Sequence, residues 1–296
     1  MWLYFALLTP LLFAIVHVLD MYCVEDIFEE PWIGVVTSAL ASLLIFIPLP
    51  YLAPLLHWEL PSATIVFMAL GAGALIQFSQ FFYFKALSYS EAGIIAAYWN
   101  MVPALVPVAS FLVFSEILTT TQYVGISLLV IASVCFCLLD SNIEARWNSF
   151  FLMFIAAIMQ VAMFLIQDVV FEHIPYAEGF YLITTGLILA GLTPLLFKKC
   201  RAILTKTSRS LIQGTKFFVL IELANLAALA SSQRAVSLGR PSLVAAVEST
   251  IPAYTFLLSM GLIVFLPKFG DPQSSKHLLS KLSLVGMMAL SVWLVA

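Results

Sequence analysis

Lys85-Ala86-Leu87-Ser88, followed by Ile94-Ile95-Ala96-Ala97 and Val102-Pro103-Ala104, returns later as Arg234-Ala235-Val236-Ser237, Leu243-Val244-Ala245-Ala246 and Ile251-Pro252-Ala253. The two stretches align without a gap, because 237 − 88, 245 − 96 and 252 − 103 all give 149. That is about half of 296 residues, so the chain reads as one unit written twice, 1–145 and 146–296. In a membrane chain, such duplication lets two halves rock about a site held between them.

Composition fixes the solvent. The chain is 62% hydrophobic and 10% charged, with a mean hydropathy of +1.06. Soluble domains average roughly 45–50% apolar and about 25% charged. A chain this apolar has far more hydrophobic surface than a water-soluble core could cover, whereas lipid accepts it. No basic stripe or nucleic-acid motif accompanies the net charge of −3, so nucleic acid is not an expected partner. Cys23, Cys135, Cys137 and Cys200 are scattered rather than set at ligand spacing; no metal or cofactor is expected.

The apolar run at the start lacks a positive leading region, since Lys85 is the first basic residue, and it reads as a retained helix rather than a signal peptide. A span needs about 20 mostly apolar residues. Ten segments meet or nearly meet that requirement: 2–20, 32–51, 62–86, 92–114, 120–139, 148–170, 177–197, 215–236, 241–266 and 278–296. The expected fold is an all-α integral membrane protein with ten transmembrane helices in two inverted five-helix repeats. The inversion follows from parity. A second copy that begins after five crossings enters the bilayer from the opposite side, related to the first by a pseudo-two-fold axis in the membrane plane.

Six of the 13 basic residues crowd one connection: Lys198, Lys199, Arg201, Lys206, Arg209 and Lys216. Lys268, Lys276 and Lys281 flank another. The positive-inside rule places both connections in the cytoplasm and therefore both termini outside.

Ionisable and amide side chains inside a span face a cavity or a partner, because burying them in lipid costs at least about 2.5 kcal/mol for a charge. The eighth span carries Glu222, Asn225, Ser232 and Gln233; the third carries Gln77, Gln80 and Phe84 on one face. Under the 149 offset, Gly73 corresponds to Glu222 and Phe84 to Gln233. The ninth span holds Glu248-Ser249-Thr250 before Pro252, and its counterpart in the fourth is Trp99-Asn100-Met101 before Pro103. Both prolines are expected to bend their helices. Tyr98 and Trp99 offer aromatic faces suited to stacking or to wrapping an aliphatic ligand. With Gln160 of the sixth span, these make the candidate substrate-binding set Gln77, Gln80, Tyr98, Trp99, Asn100, Gln160, Glu222, Asn225, Gln233 and Glu248. Glu248 and Glu222 are the candidates for proton coupling, Glu248 being about 10 Å inside its span. Asp20 and Asp168 approach span ends and read as hydrated. Interhelical hydrogen bonding is the competing reading for the amides. No catalytic constellation is present, so an enzyme is not expected.

Ten apolar spans, the paired repeats, and the residues Ala86 to Ser90, Ala92-Gly93, Tyr98-Trp99-Asn100, Pro103, Ser115-Glu116 and Gly125, then Ala235 to Gly239, Ala245-Ala246, Pro252 and Gly286, resemble the drug/metabolite transporter superfamily, specifically its EamA-like members. The resemblance implies a basket of helices around a central cavity. It implies a secondary active transporter of the bacterial inner membrane that moves a small polar or amphipathic metabolite, such as an amino acid or nucleotide derivative, with protons or a counter-substrate. The implied partners are the lipid bilayer and that solute, in a monomer or homodimer. A non-transporting scaffold or partner-binding subunit that keeps the fold is the alternative. Two features depart from the family. Its characterised ten-helix members keep both termini in the cytoplasm, against the charge reading above. Phe265 also stands where a second-half match to Glu116 would be, since 265 − 116 is 149.

Overall fold

Every regular element is helical among residues 1–23, 31–52, 61–90, 92–139, 147–265 and 277–296, which are those the computed structural model describes. The first half contains α1 (Trp2–Cys23), α2 (Pro31–Ser42) with a 3₁₀ turn at Leu43–Phe46, α3 (Leu49–Leu52), α4 (Ala63–Leu87), α5 (Ala92–Trp99), α6 (Met101–Phe114) and α7 (Thr120–Leu138). The second contains α8 (Trp147–His173), α9 (Tyr176–Gly191) with a 3₁₀ turn at Thr193–Leu196, α10 (Lys198–Val236), α11 (Pro241–Glu248), α12 (Ile251–Phe265) and α13 (Leu278–Val295). Eight stretches of the described residues are long and apolar enough to cross a membrane. The chain is an all-α, multi-pass membrane protein. Of the other two expected spans, α1 contributes a shorter apolar stretch, Trp2–His17, and α10 begins with the basic segment.

Local chemistry places the ends. Thr119 and Gln122 form a reciprocal capping box at the start of α7, which satisfies two amides that a helix start would leave bare. Ser62 accepts the Ile65 amide at the start of α4. Ser115 closes α6 in the left-handed region with φ 55°.

One expectation is corrected here. The basic connection after residue 197 is not a loop: α10 runs unbroken for 39 residues through it. Its Lys, Arg, Leu and Ile residues favour helix, and no proline interrupts them. The expected span 32–51 holds as Trp32–Tyr51, with α2 passing into a 3₁₀ turn before Pro48 and Pro50.

The halves pack by exchange. Helix α4 lies along α8 and α9, while α10 lies along α1 and α2; α6 packs on α8, and α12 on α1. Helix α7 pairs with α13. At the α4–α9 crossing the backbones touch. A Cβ on Gly73 would collide with the Ile183 carbonyl and the Leu187 amide, and one on Gly186 with the Leu70 backbone. Small residues at such crossings allow close van der Waals packing where no hydrophobic force draws helices together.

Contacts between helix ends sort the bundle into two faces. The Gln122 amide donates to the Val295 carbonyl (3.5 Å), Ser242 donates to Glu116 (2.8 Å), and Tyr176 donates to the Ala230 carbonyl (2.7 Å). A Cβ on Gly239 would lie 2.7 Å from the Trp2 ring. These contacts put Trp2 and Val295 on one face, called here the terminal face. The Ser90 and Ser149 hydroxyls meet at 2.7 Å on the opposite face. Lys85, Lys198, Lys199, Arg201 and Lys281 stand toward that opposite face. Arg234 and Arg240 stand toward the terminal face with Glu116, Glu172 and Glu178.

Candidate functional site

The two broken spans carry the candidate site. Helices α5 and α11 obey the repeat at both ends, since 241 − 92 and 248 − 99 both give 149. Each stops at the residue four before a proline, Trp99 before Pro103 and Glu248 before Pro252. Proline has no amide to offer the carbonyl four residues back, and its ring crowds that carbonyl. The expected bends are therefore full breaks, placed ahead of the prolines, which fall in the first turns of α6 and α12, where a missing amide matters little. Polar side chains stitch the gaps. Asn100 donates to the Ala96 carbonyl (3.1 Å), Ser249 to Ala246 (2.6 Å) and Thr250 to Val247 (2.7 Å).

Each break meets the end of its neighbouring long helix. In the second half the Ser232 hydroxyl of α10 donates to Glu248 Oε1 (2.5 Å). In the first half Tyr83 of α4 meets Trp99 edge-to-face, with ring centroids 5.6 Å apart. These contacts are equivalent under the repeat, because 232 − 83 and 248 − 99 are both 149. Trp99 lies about 10 Å inside the opposite face and Glu248 about 10 Å inside the terminal face, at 1.5 Å per residue. Both remain half-buried rather than sealed.

A solved structure described only as a crystal structure of a protein is similar over 99% of this chain and 98% of its own, with a TM-score of 0.70 and 14% identity. At that identity the likeness shows the fold alone. No family model and no curated protein matches the chain.

The remaining expected residues divide by environment. Gln77 is sealed, and its amide donates to the Val35 carbonyl of α2 (2.8 Å). Gln160 donates to Ser79 (2.6 Å), so both tie helices together. Gln233 is 1% exposed, and its Oε1 has no donor among the described residues. Gln80 and Tyr98 stay half-buried, Tyr98 against the Phe150 ring at 5.5 Å. Asp168 is half-buried near the end of α8, whereas the side chain of Asp20 lies outside the described residues. Among the described residues, no three His, Cys, Asp or Glu side chains gather as metal ligands.

Three features escaped sequence reasoning. Glu222, 5% exposed, accepts from Ser42 (2.6 Å), Ser38 (3.1 Å) and Asn225 (3.4 Å); the i, i+4 spacing of the two serines was the available signal. Glu116 reaches across the repeats to Ser242 at the start of α11. Lys281, expected beside a connection, is 2% exposed and sits 5.8 Å from the Phe256 ring centre. Nothing in a lone lysine next to a polar segment signals that burial. The open grooves between α4 and α8 and between α6 and α7 are walled mainly by apolar groups such as Phe67, Phe78, Val108 and Phe111.

Proposed function

We propose that this protein is a secondary active transporter that works by alternating access, with ten spans in two inverted repeats. The reading rests chiefly on one observation. Two spans, one from each half, break after the same repeat position and present Trp99 and Glu248 from opposite faces. Irregular backbone at membrane depth is tolerated where it faces protein or a watery cavity, and paired broken helices at a repeat interface are where carriers hold their cargo. The exchange-symmetric packing of α4 on α8 and α9, and of α10 on α1 and α2, suits an axis in the membrane plane.

In this reading Gln80, Tyr98, Trp99 and Glu248 contact a small amphipathic metabolite. Glu248 carries a proton on the return stroke. Gln77, Gln160 and Asn100 hold helices and breaks in place. The basic face lies in the cytoplasm of a bacterial inner membrane, following the positive-inside rule, and both termini lie outside.

Reconstitution tests the proposal. Proteoliposomes loaded with a metabolite should show saturable uptake of the labelled compound, accelerated by counterflow. A broad panel with no flux above empty liposomes would favour a scaffold that keeps the fold.

A further inference from the structure

Helix α10 is longer than a crossing requires. Its 39 residues measure about 58 Å at 1.5 Å per residue, whereas the hydrocarbon core of a bilayer is about 30 Å thick. The second part of the helix accounts for the crossing. Ile221 packs on Val16 of α1, Tyr176 reaches the Ala230 carbonyl, and Gly239, just past the helix end, lies against Trp2. Residues 221–236 therefore run antiparallel beside α1 as far as the terminal face, a distance of about 22 Å. The first part begins at the opposite boundary, because the span Tyr176–Leu196 ends just before Lys198. From Lys198 to Ile221 the chain advances 23 residues (221 − 198), with only about 8 Å of core depth left to enter. Those turns run along the opposite face. A straight rod of this length between the two boundaries would instead tilt about 60°, beyond the usual range of about 0–40°.

The chemistry of these turns suits such a position. Residues 198–216 include six basic side chains and no acidic one. Where their side chains are described, the helix has two faces. Lys198, Lys199, Arg201, Ala202 and Thr205 are exposed, and Cys200, Ile203 and Leu204 are half-buried. The half-buried three follow the i, i+3, i+4 spacing of one helical stripe. Directly before them Leu196 and Phe197 are 77% and 65% exposed, large apolar groups at the rim of a span. Glu25, Asp26, Glu29 and Glu30, between the two helices on which α10 packs, are the competing partners in the chain. Lys198, Lys199 and Arg201 nevertheless stand exposed rather than covered.

We propose that the first turns of α10 lie along the membrane surface and bind the headgroups of anionic phospholipids. Leu196 and Phe197 enter the acyl chains, and Lys198, Lys199 and Arg201 face the lipid phosphates. A helix with an apolar stripe and a cationic face rests in the interfacial plane. Basic residues directly beyond a span gain about fivefold in binding per charge at an anionic surface. The occupant is a lipid rather than a soluble anion, because only a lipid offers hydrocarbon to Leu196 and Phe197 beside a phosphate for the cations. The proposal does not depend on the transport reading, and it is measured without flux.

The test uses the full-length protein in nanodiscs, with the native cysteines substituted and a fluorophore attached through Ala202→Cys on the exposed face. Phosphatidylglycerol or phosphatidylcholine carrying a headgroup-level spin label is titrated as quencher. The half-quenching mole fraction of phosphatidylglycerol should lie about fivefold or more below that of phosphatidylcholine. Molar salt shortens the screening length to about 3 Å and should erase the difference without any further substitution. Lys198→Gln, Lys199→Gln and Arg201→Gln combined keep good helix formers and should bring the two lipids within about twofold. Lys85→Gln, exposed on the same face but outside α10, should keep the preference. Equal quenching of the parent by both lipids would overturn the proposal and leave the acidic connection as the partner of these cations. Absence of quenching by either lipid would also overturn it, since the helix would then stand off the membrane. So would a preference undiminished in the folded triple variant.

Discussion

Ser232 hydrogen-bonds Glu248 at the place where, in the other half, Tyr83 meets Trp99. One junction of the repeat has been given acid–hydroxyl chemistry in one copy and aromatic chemistry in the other. Helices α5 and α11 begin and end at equivalent residues, so the asymmetry at this junction lies in its side chains. In the proposed carrier a symmetric frame would supply the motion, and unlike side chains would give the two ends of the site different tasks.

Glu248 is the carboxylate at a helix break, and Ser232 is the group that holds it. If it carries the coupling proton, Glu248→Gln retains size and hydrogen bonding but cannot titrate. The expected result in proteoliposomes is loss of pH-gradient-driven accumulation, with counterflow exchange at least partly intact. Unchanged gradient-driven accumulation would remove Glu248 from the coupling step.

Trp99 should act on affinity rather than coupling. An edge-to-face aromatic pair is worth about 0.5–1.5 kcal/mol beyond its buried area. Trp99→Phe keeps a ring against Tyr83 and should change the half-saturating concentration by no more than about threefold. Trp99→Ala should raise it by about tenfold while the gradient still drives accumulation. An unaltered half-saturating concentration in Trp99→Ala would place this ring outside the substrate path.

The α4–α9 crossing predicts a sharp contrast among glycines. A methyl on Gly73 or Gly186 meets backbone atoms that have nowhere to move, whereas a Cβ on Gly71 meets nothing within 4 Å. Overpacking of this kind costs about 1–3 kcal/mol. Gly73→Ala and Gly186→Ala should each lower the unfolding midpoint in detergent by several degrees, and Gly71→Ala should leave it unchanged. Equal midpoints for all three would mean that the two helices do not touch as described.

What the sequence made legible follows from what repeats and what does not. The 149-residue offset paired the two prolines as expected bends, and the structure turns each bend into a break that begins four residues upstream, where proline removes a hydrogen bond and crowds a carbonyl. The same offset paired Trp99 with Glu248. It did not reveal that Gln77 is sealed against Val35 while Gln80, one turn on, stays half-buried. Both lie on a polar face, and only the neighbouring helix decides which is covered. The Ser38–Ser42–Glu222 cluster joins residues 180 or more positions apart; the i, i+4 spacing of the serines marks a polar face but does not name Glu222 as its partner. The continuous α10 was missed for another reason: charge density resembles a loop, yet lysine and arginine are good helix formers.

Orientation follows from joining the charge pattern to the helix-end contacts. Lys85, Lys198, Lys199, Arg201 and Lys281 share the face opposite the termini, and Arg234 and Arg240 share the terminal face with three glutamates. Basic residues near span ends resist translocation, and acidic ones count for little. The face bearing Lys198 is therefore expected in the cytoplasm. Two single-cysteine proteins, made after Cys200 and the other native cysteines are substituted, read this directly. Ser208→Cys lies within the basic part of α10, and Thr120→Cys is exposed at the start of α7 on the terminal face. In intact cells an impermeant thiol reagent should label Cys at 120 and spare Cys at 208; after permeabilisation both should react. The reverse pattern would place the termini in the cytoplasm. It would also mean that the basic turns of α10 cross the membrane against their charge.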